Sequence, residues 1–351
     1  MKFFLSISLS FFLLTACEKP DDHNPFNPTV PPPVNPVSRP GSIGIVGDTA
    51  DVQTITKGGV VIMGGSTDVD AAFQWMIERN GGGDVVIIRA SGTDAYNPYV
   101  MKLGKVNSVE TIKIDSRRLA DDEGVARNIR NAEMLFIAGG DQSNYTEYWK
   151  NTKTMDAINY LLNVKKVPVG GTSAGAAILG NYYFNGERGS VTSETALANP
   201  YSNLVTIYKD DFLQTPFLQN VITDQHFSQR EREGRMVVFL GRIMVDWKKA
   251  PYGIAVDEKT AVCIDDQGLA QVIGENNAYF LKTDAVKSAE ILEPNKSVTW
   301  NHDGKAIFVS EISAKVKGNQ FNMRTFEPGN TMGLSNFWWS SIAGKMYFIN
   351  F

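Results

Sequence analysis

The segment of this chain best suited to chemistry is Gly171-Thr172-Ser173-Ala174-Gly175. It follows the apolar run Lys166–Val169 and precedes Ala176-Ala177-Ile178-Leu179, so Ser173 stands where a buried strand turns into a helix. Glycines on both sides permit the tight turn that lifts the hydroxyl clear of the sheet. The amino end of the helix then presents backbone N–H groups, such as that of Ala174, to a developing oxyanion. Those are the parts of nucleophilic acyl transfer, and a serine nucleophile needs a base, most often histidine. The chain has three histidines. His23 lies in a proline-rich stretch, and His302 sits in the turn sequence Asn301-His302-Asp303-Gly304. His226, which closes Val221-Ile222-Thr223-Asp224-Gln225-His226, is the remaining base. The acid that would orient it is Asp257 or Glu258, and spacing alone does not separate them.

Arg230, Arg232 and Arg235 follow His226 closely. If Ser228–Leu240 is a helix, His226 and Arg230 share a face, and Arg232 and Arg235 are neighbours at i, i+3. Such arginines suit bidentate recognition of substrate carboxylates. The alternative is a solvated helix face whose arginines pair with Glu231 and Glu233. Cys263, inside Ala261-Val262-Cys263-Ile264, reads as a buried strand thiol. Phe337-Trp338-Trp339 reads as packing of carboxyl-terminal strands in preference to a sugar platform.

The elements that must position these residues recur from residue 58 onward. Short, non-alternating apolar runs at Val60–Met63, Val85–Ile88, Met134–Ile137 and Lys166–Val169, with a weaker one at Thr111–Ile114, read as buried parallel strands. Helical patterns at Asp68–Asn80, Glu123–Ala132 and Tyr145–Leu162 separate them. The expected fold class is therefore α/β, a three-layer parallel sheet with helices on both faces. Three strands end in Gly-Gly, at Gly64-Gly65, Gly139-Gly140 and Gly170-Gly171, where loops permit close approach to a ligand. None completes a nucleotide fingerprint. Residues 181–220 read as polar and irregular. Beyond Gly253 the pattern becomes short strands, at Ile254–Val256, Thr260–Ile264, Ala270–Ile273, Ala278–Leu281, Ala306–Ser310 and Lys345–Ile349, and the last sixty or so residues read as a β-rich extension packed on the sheet.

Composition excludes several classes. Hydrophobic residues make up 43% of the chain and charged residues 21%, as in an ordinary globular protein. A net charge of −4 argues against a nucleic-acid partner held by bulk charge. Two cysteines and three histidines leave no disulfide scaffold and no Cys- or His-rich metal centre, and acyl transfer of this kind requires neither metal nor cofactor. At the amino end, Lys2 and the apolar run Phe3–Leu14 read as a signal peptide. Ala16-Cys17 behind it resembles the lipobox of bacterial lipoproteins, in which the cysteine is acylated. Glu18–Pro40 holds eight of the fifteen prolines and reads as a tether, and Glu18-Lys19-Pro20-Asp21-Asp22 resembles an acidic surface-export signal. The expected organisation is a signal peptide over 1–16, a tether over 17–41, a hydrolase domain over 42–292 and a β-rich extension of the same unit over 293–351. Export, with Cys17 anchoring the protein to the bacterial cell envelope on the periplasmic or outer face, follows as the expected location.

Gly170-Gly171-Thr172-Ser173-Ala174-Gly175-Ala176 and Asp224-Gln225-His226-Phe227-Ser228-Gln229-Arg230 together resemble the cyanophycinases, serine peptidase family S51. Ile137-Ala138-Gly139-Gly140-Asp141-Gln142 and Gly253–Ala261 fit the same family, over roughly residues 58–325. The resemblance implies a fold related to class I glutamine amidotransferases. It also implies Ser173 as nucleophile, His226 as general base and Glu258 as the acid behind the histidine. Gln142, Asp224, Gln225, Arg230, Arg232 and Arg235 match positions that line the family's substrate pocket, and the backbone of Ala174 and Gly140 would supply the oxyanion donors. Cyanophycin is poly-aspartate carrying arginine on its side chains, and the family releases β-Asp-Arg dipeptides from it. The implied partners are a peptide or polymer rich in Asp and Arg, the membrane through Cys17, and a second copy in a homodimer. Two departures stand out: Glu231 replaces a usual glycine, and Asn181–Gln219 does not follow the family pattern. Other readings are an exported aspartyl or isoaspartyl dipeptidase, and a non-catalytic lipid-tethered binding protein on this fold.

Overall fold

The computed structural model describes residues 38–330 and 332–350. The signal peptide, Cys17 and His23 fall outside those residues, as does most of the tether. Two sheets organise the rest. The larger runs, from edge to edge, Ser42–Gly47, Ser108–Lys113, Asp84–Arg89, Met134–Ile137, Pro168–Thr172, Gly59–Met63, Thr260–Asp265, Leu269–Gly274, Phe321–Asn322 and Glu327–Pro328. Its five strands from Ser108–Lys113 to Gly59–Met63 are mutually parallel, and the flanking strands pair antiparallel. Val60, Val61, Ile62 and Met63 are all buried, which is why they form an unbroken apolar run and do not alternate. Helices Asp70–Asn80 and Tyr96–Leu103 cover one face, with Phe73 and Met76 in the core beneath them. Helices Glu123–Asn131 and Lys153–Tyr160 contribute to the core on the other. The α/β class with a parallel core and helices on both faces is what the strand pattern predicts.

The second sheet runs Lys345–Asn350, Leu334–Ile342, Ile307–Ser313, Asn277–Lys282, Tyr252–Val256, Val221–Gln225, Tyr182–Phe184 and Ile207–Lys209. The carboxyl-terminal strands read from sequence as an extension thus divide. Most complete this second sheet, and Phe321–Asn322 with Glu327–Pro328 finish an edge of the first. Helix Glu233–Trp247 packs its Met236, Val237 and Leu240 with Trp300 and Trp339 in a separate core. Val221–Gln225 and Tyr252–Val256 are parallel, with Gln225 opposite Val256, so His226 and Asp257 leave the sheet side by side. That register brings the base to the turn that carries both candidate acids.

Three expectations need correction. The single helix expected over Tyr145–Leu162 is broken into Gln142–Trp149 and Lys153–Tyr160, with a π turn at Leu161–Lys165. Asn151 takes φ 56°, and the Thr152 hydroxyl donates to the Trp149 carbonyl at 2.6 Å, closing the first helix. The stretch 181–220 is ordered, with strands Tyr182–Phe184 and Ile207–Lys209 around helix Ser193–Ala198. Elements of three to six residues are too short to show a period. The helix expected from Ser228 begins at Glu233, after a 3-10 turn Ser228–Arg230 and Glu231 at φ 49°. The three arginines therefore do not share one helix face.

Candidate active site

Ser173 occupies the turn between strand Pro168–Thr172 and the short helix Ala174–Ala177. Its φ of 50° and ψ of −116° place it in a sparsely populated region that needs firm support. The flanking glycines provide it, since a Cβ on Gly171 would lie 2.5 Å from the Gly175 carbonyl carbon and one on Gly175 2.1 Å from the Ile137 oxygen. From Val167 to Asn185, Ser173 is the one residue that is not buried. The turn therefore delivers a single hydroxyl to the surface. Gly139 lies against it, because a Cβ there would be 3.5 Å from the Ser173 Cβ, which brings the Gly139–Asp141 loop alongside the nucleophile. The first N–H groups of a helix have no partner within the helix, and that of Ala174 directly follows the nucleophile.

His226 Nε2 lies 2.8 Å from Ser173 Oγ, and its Nδ1 lies 2.7 Å from Glu258 Oε1. With the Nδ1 proton donated to the carboxylate, Nε2 carries the lone pair that faces the hydroxyl. Burial holds His226 below its ordinary pKa; the charges of Arg230 and Arg232 push the same way, and the bond to Glu258 opposes them. The imidazole is thereby neutral at neutral pH, with a lone pair free to accept a proton. The hydrogen bond from His226 in turn holds Glu258 below the usual carboxylate range. Asp257, the alternative acid, is buried at 2% exposure and accepts the N–H groups of Ser228 at 2.9 Å and Asn277 at 3.3 Å. It anchors the loop after His226 and leaves Glu258 to face the imidazole. Phe227, fully buried, stacks on Trp339 at 6.1 Å and packs against Tyr279, so the carboxyl-terminal strands support the histidine loop from behind. That is the packing role read for Phe337-Trp338-Trp339.

The polar residues around this line fall into two groups. Arg230 is exposed and close enough for its charge to act on both His226 and Glu258. Gln142 is half-buried and donates to the Phe184 carbonyl at 3.5 Å, so it meets the segment that departs from the family pattern. Asp224 and Arg235, expected as pocket lining, instead face each other. Arg235 Nε donates to Asp224 Oδ2 at 2.8 Å and Nη2 to Oδ1, at 1% and 2% side-chain exposure. Arg235 also donates to Ser190 Oγ and the Val191 carbonyl, each at 3.4 Å. Arg232 is buried and donates to the Gln225 carbonyl at 2.6 Å, with Asp224 Oδ1 3.5 Å away. Gln225 is buried, and its Oε1 has no hydrogen-bond partner. The alternative in which these arginines pair with Glu231 and Glu233 on a solvated face does not describe Arg232 or Arg235, because both are inside. Cys263 is buried, and burial pushes its thiol up to about 12, an inert state. His302 stands in its turn, 2.7 Å from the Ser288 carbonyl. Among the described residues no cluster of His, Cys, Asp and Glu has the makings of a metal site.

The sequence reading missed what holds this line together. Met63, Gly64 and Gly65 offer three successive carbonyls, which accept the N–H groups of Ser173 at 3.1 Å, His226 at 2.8 Å and Lys259 at 3.1 Å. Gly65, at φ 94°, leaves no room for a side chain, since a Cβ would sit 2.5 Å from His226 Nε2 and 3.0 Å from Ser173 Cβ. The Gly-Gly pair at the strand end was the visible signal, and its use as a backbone template was not.

Comparison with known proteins shows the family. The profile of peptidase family S51 matches residues 55–272. A cyanophycinase from Geminocystis herdmanii is 23% identical over 67% of this chain and 78% of its own length. One from Synechococcus elongatus is 23% identical over 77% of this chain and 81% of its own. A crystal structure of a peptidase from an acI-B1 Actinobacterium aligns with a TM-score of 0.47 at 16% identity, covering 65% of this chain and 91% of that one.

Proposed function

The chain belongs to peptidase family S51 and is a serine-type peptidase of cyanophycinase-like character, and on that basis we propose that it hydrolyses cyanophycin to β-Asp-Arg dipeptides through an acyl-enzyme. The observation that carries the reading is the continuous line Ser173 Oγ to His226 Nε2 at 2.8 Å and His226 Nδ1 to Glu258 Oε1 at 2.7 Å. In this reading His226 takes the Ser173 proton as the hydroxyl attacks the amide carbonyl. The Ala174 N–H and the Gly139–Asp141 loop receive the oxyanion, His226 returns the proton to the leaving amine, and water repeats the sequence on the ester. Exposed Arg230, whose charge reaches His226 and Glu258, would meet a free carboxylate of the substrate, such as that of an arginine attached to the polymer.

Incubated with cyanophycin, the protein should release β-Asp-Arg, read by mass spectrometry, and Ser173→Ala should lower the rate by at least ~10³-fold. Intact polymer with the wild-type protein, or equal release by Ser173→Ala, would refute the reading. Export with acylation at Cys17 belongs to the same proposal and rests on Ala16-Cys17 closing the apolar run. Palmitate labelling of the full chain should be lost in Cys17→Ser; an unlabelled wild type would remove the anchor.

A further inference from the structure

The carbonyls of Met63, Gly64 and Gly65 fix the backbone of the nucleophile, of the base and of Lys259. They do not fix the peptide of Glu258, whose side chain is 25% exposed and whose carboxylate meets His226 and Ser66. Two side-chain amides meet the Glu258 peptide instead. Gln229 Oε1 accepts the Glu258 N–H at 2.8 Å, and Asn276 Nδ2 donates to the Glu258 carbonyl at 2.9 Å. The Thr260 hydroxyl adds a bond to that carbonyl at 3.2 Å and accepts the Asn276 N–H at 3.0 Å. Gln229 is three residues past His226, on the 3-10 turn Ser228–Arg230, and its amide nitrogen donates to Ser228 Oγ at 2.8 Å. The same short turn that follows the base therefore reaches across and holds the backbone of the acid. Asn276 comes from the tight connection between strands Leu269–Gly274 and Asn277–Lys282, beyond the stretch matched by the family profile.

We propose that Gln229 and Asn276 are positioning residues, which hold the Glu258 peptide from both sides and so set its carboxylate against His226. The inference rests on the reading of Ser173, His226 and Glu258 given above. Their effect passes through the Glu258–His226 contact and not through substrate, so it belongs to turnover and not to binding. A displacement of the carboxylate by about 1 Å is enough to cost ~10- to 100-fold in rate.

The test uses the full chain and compares kcat and KM on cyanophycin for wild type, Gln229→Ala, Gln229→Glu, Asn276→Ala and Ser173→Ala. Gln229→Ala should lower kcat ~10- to 100-fold with KM and Tm unchanged, because Gln229 is exposed and its loss leaves no buried gap. Gln229→Glu keeps an oxygen acceptor at the same reach and should recover most of kcat. Asn276→Ala should act in the same direction and gives an independent reading if one variant fails to fold. Unchanged kcat in both alanine variants, with Ser173→Ala inactive, overturns the inference and leaves the mechanism standing. A loss of kcat that follows a fall in Tm and is not recovered by Gln229→Glu also overturns it, by showing a merely structural role. Full activity in Ser173→Ala instead overturns the mechanism on which the inference depends.

Discussion

Two carboxylate–base pairs grow from the short stretch between Asp224 and Arg235, and they have opposite characters. Asp224 and Arg235 pair at 2% and 1% side-chain exposure, with the guanidinium bidentate on the carboxylate and flanked by the rings of Phe184 and Phe239 at 5.3 and 5.6 Å. His226 and Glu258 pair at 7% and 25% exposure, one of them always able to exchange its proton with water. The first pair is shut away from solvent, so losing either partner leaves a buried charge unpaired. The second must change charge in every turnover that it serves. A motif so short thus holds both a fixed brace and the base of the proposed mechanism, and the brace also reaches Ser190 and Val191 in the segment that departs from the family pattern.

The largest expected effect comes from breaking the brace. Arg235→Ala leaves the Asp224 carboxylate buried with its main partner gone, which costs ~3–5 kcal/mol of stability. For a domain of ordinary stability that is a large share of the total, and it should appear as a lower Tm and a lower urea midpoint. If Arg235→Ala melts like the wild type and fails only in substrate binding, then the pair is not a brace and Arg235 is pocket lining, as the family resemblance implies.

How much of this was legible in the sequence follows from the same contrast. The strand–turn–helix at 168–177 and the elimination of His23 and His302 leave Ser173 and His226 as a pair without any coordinates, because glycine sterics and histidine chemistry are local. The separation of Arg230, Arg232 and Arg235 into one exposed and two buried side chains was not legible. It depends on Glu231 at φ 49° breaking the expected helix, and no periodicity announces a left-handed residue that is not glycine. Asp257 and Glu258 could not be separated for a related reason. They are adjacent in a turn, and only the folded loop, which ties Asp257 to the Ser228 and Asn277 N–H groups, leaves Glu258 to face the imidazole. The order in 181–219 was missed because its strands are three residues long and are defined by their neighbours.

The smaller effect sharpens the working pair. Glu258→Gln keeps the shape of the side chain but removes the charge that favours the Nδ1–H tautomer, so kcat should fall ~10²-fold or more, with Tm nearly unchanged because exposed pairs contribute little to stability. Its pH dependence carries a sign. Burial and the charges of Arg230 and Arg232 hold the imidazole below its ordinary pKa, while the bond to Glu258 raises it. In the wild type the acid limb of kcat/KM should therefore lie below the usual histidine midpoint of about 6.5, with full activity above it, since only the neutral ring accepts the Ser173 proton. Replacing Glu258 by glutamine removes the one influence that raises the pKa and leaves those that lower it. The limb should then move to still lower pH, even as the plateau falls. A limb that moves upward in Glu258→Gln would mean that Glu258 does not raise the imidazole pKa, and the pairing of base and acid would fail with it.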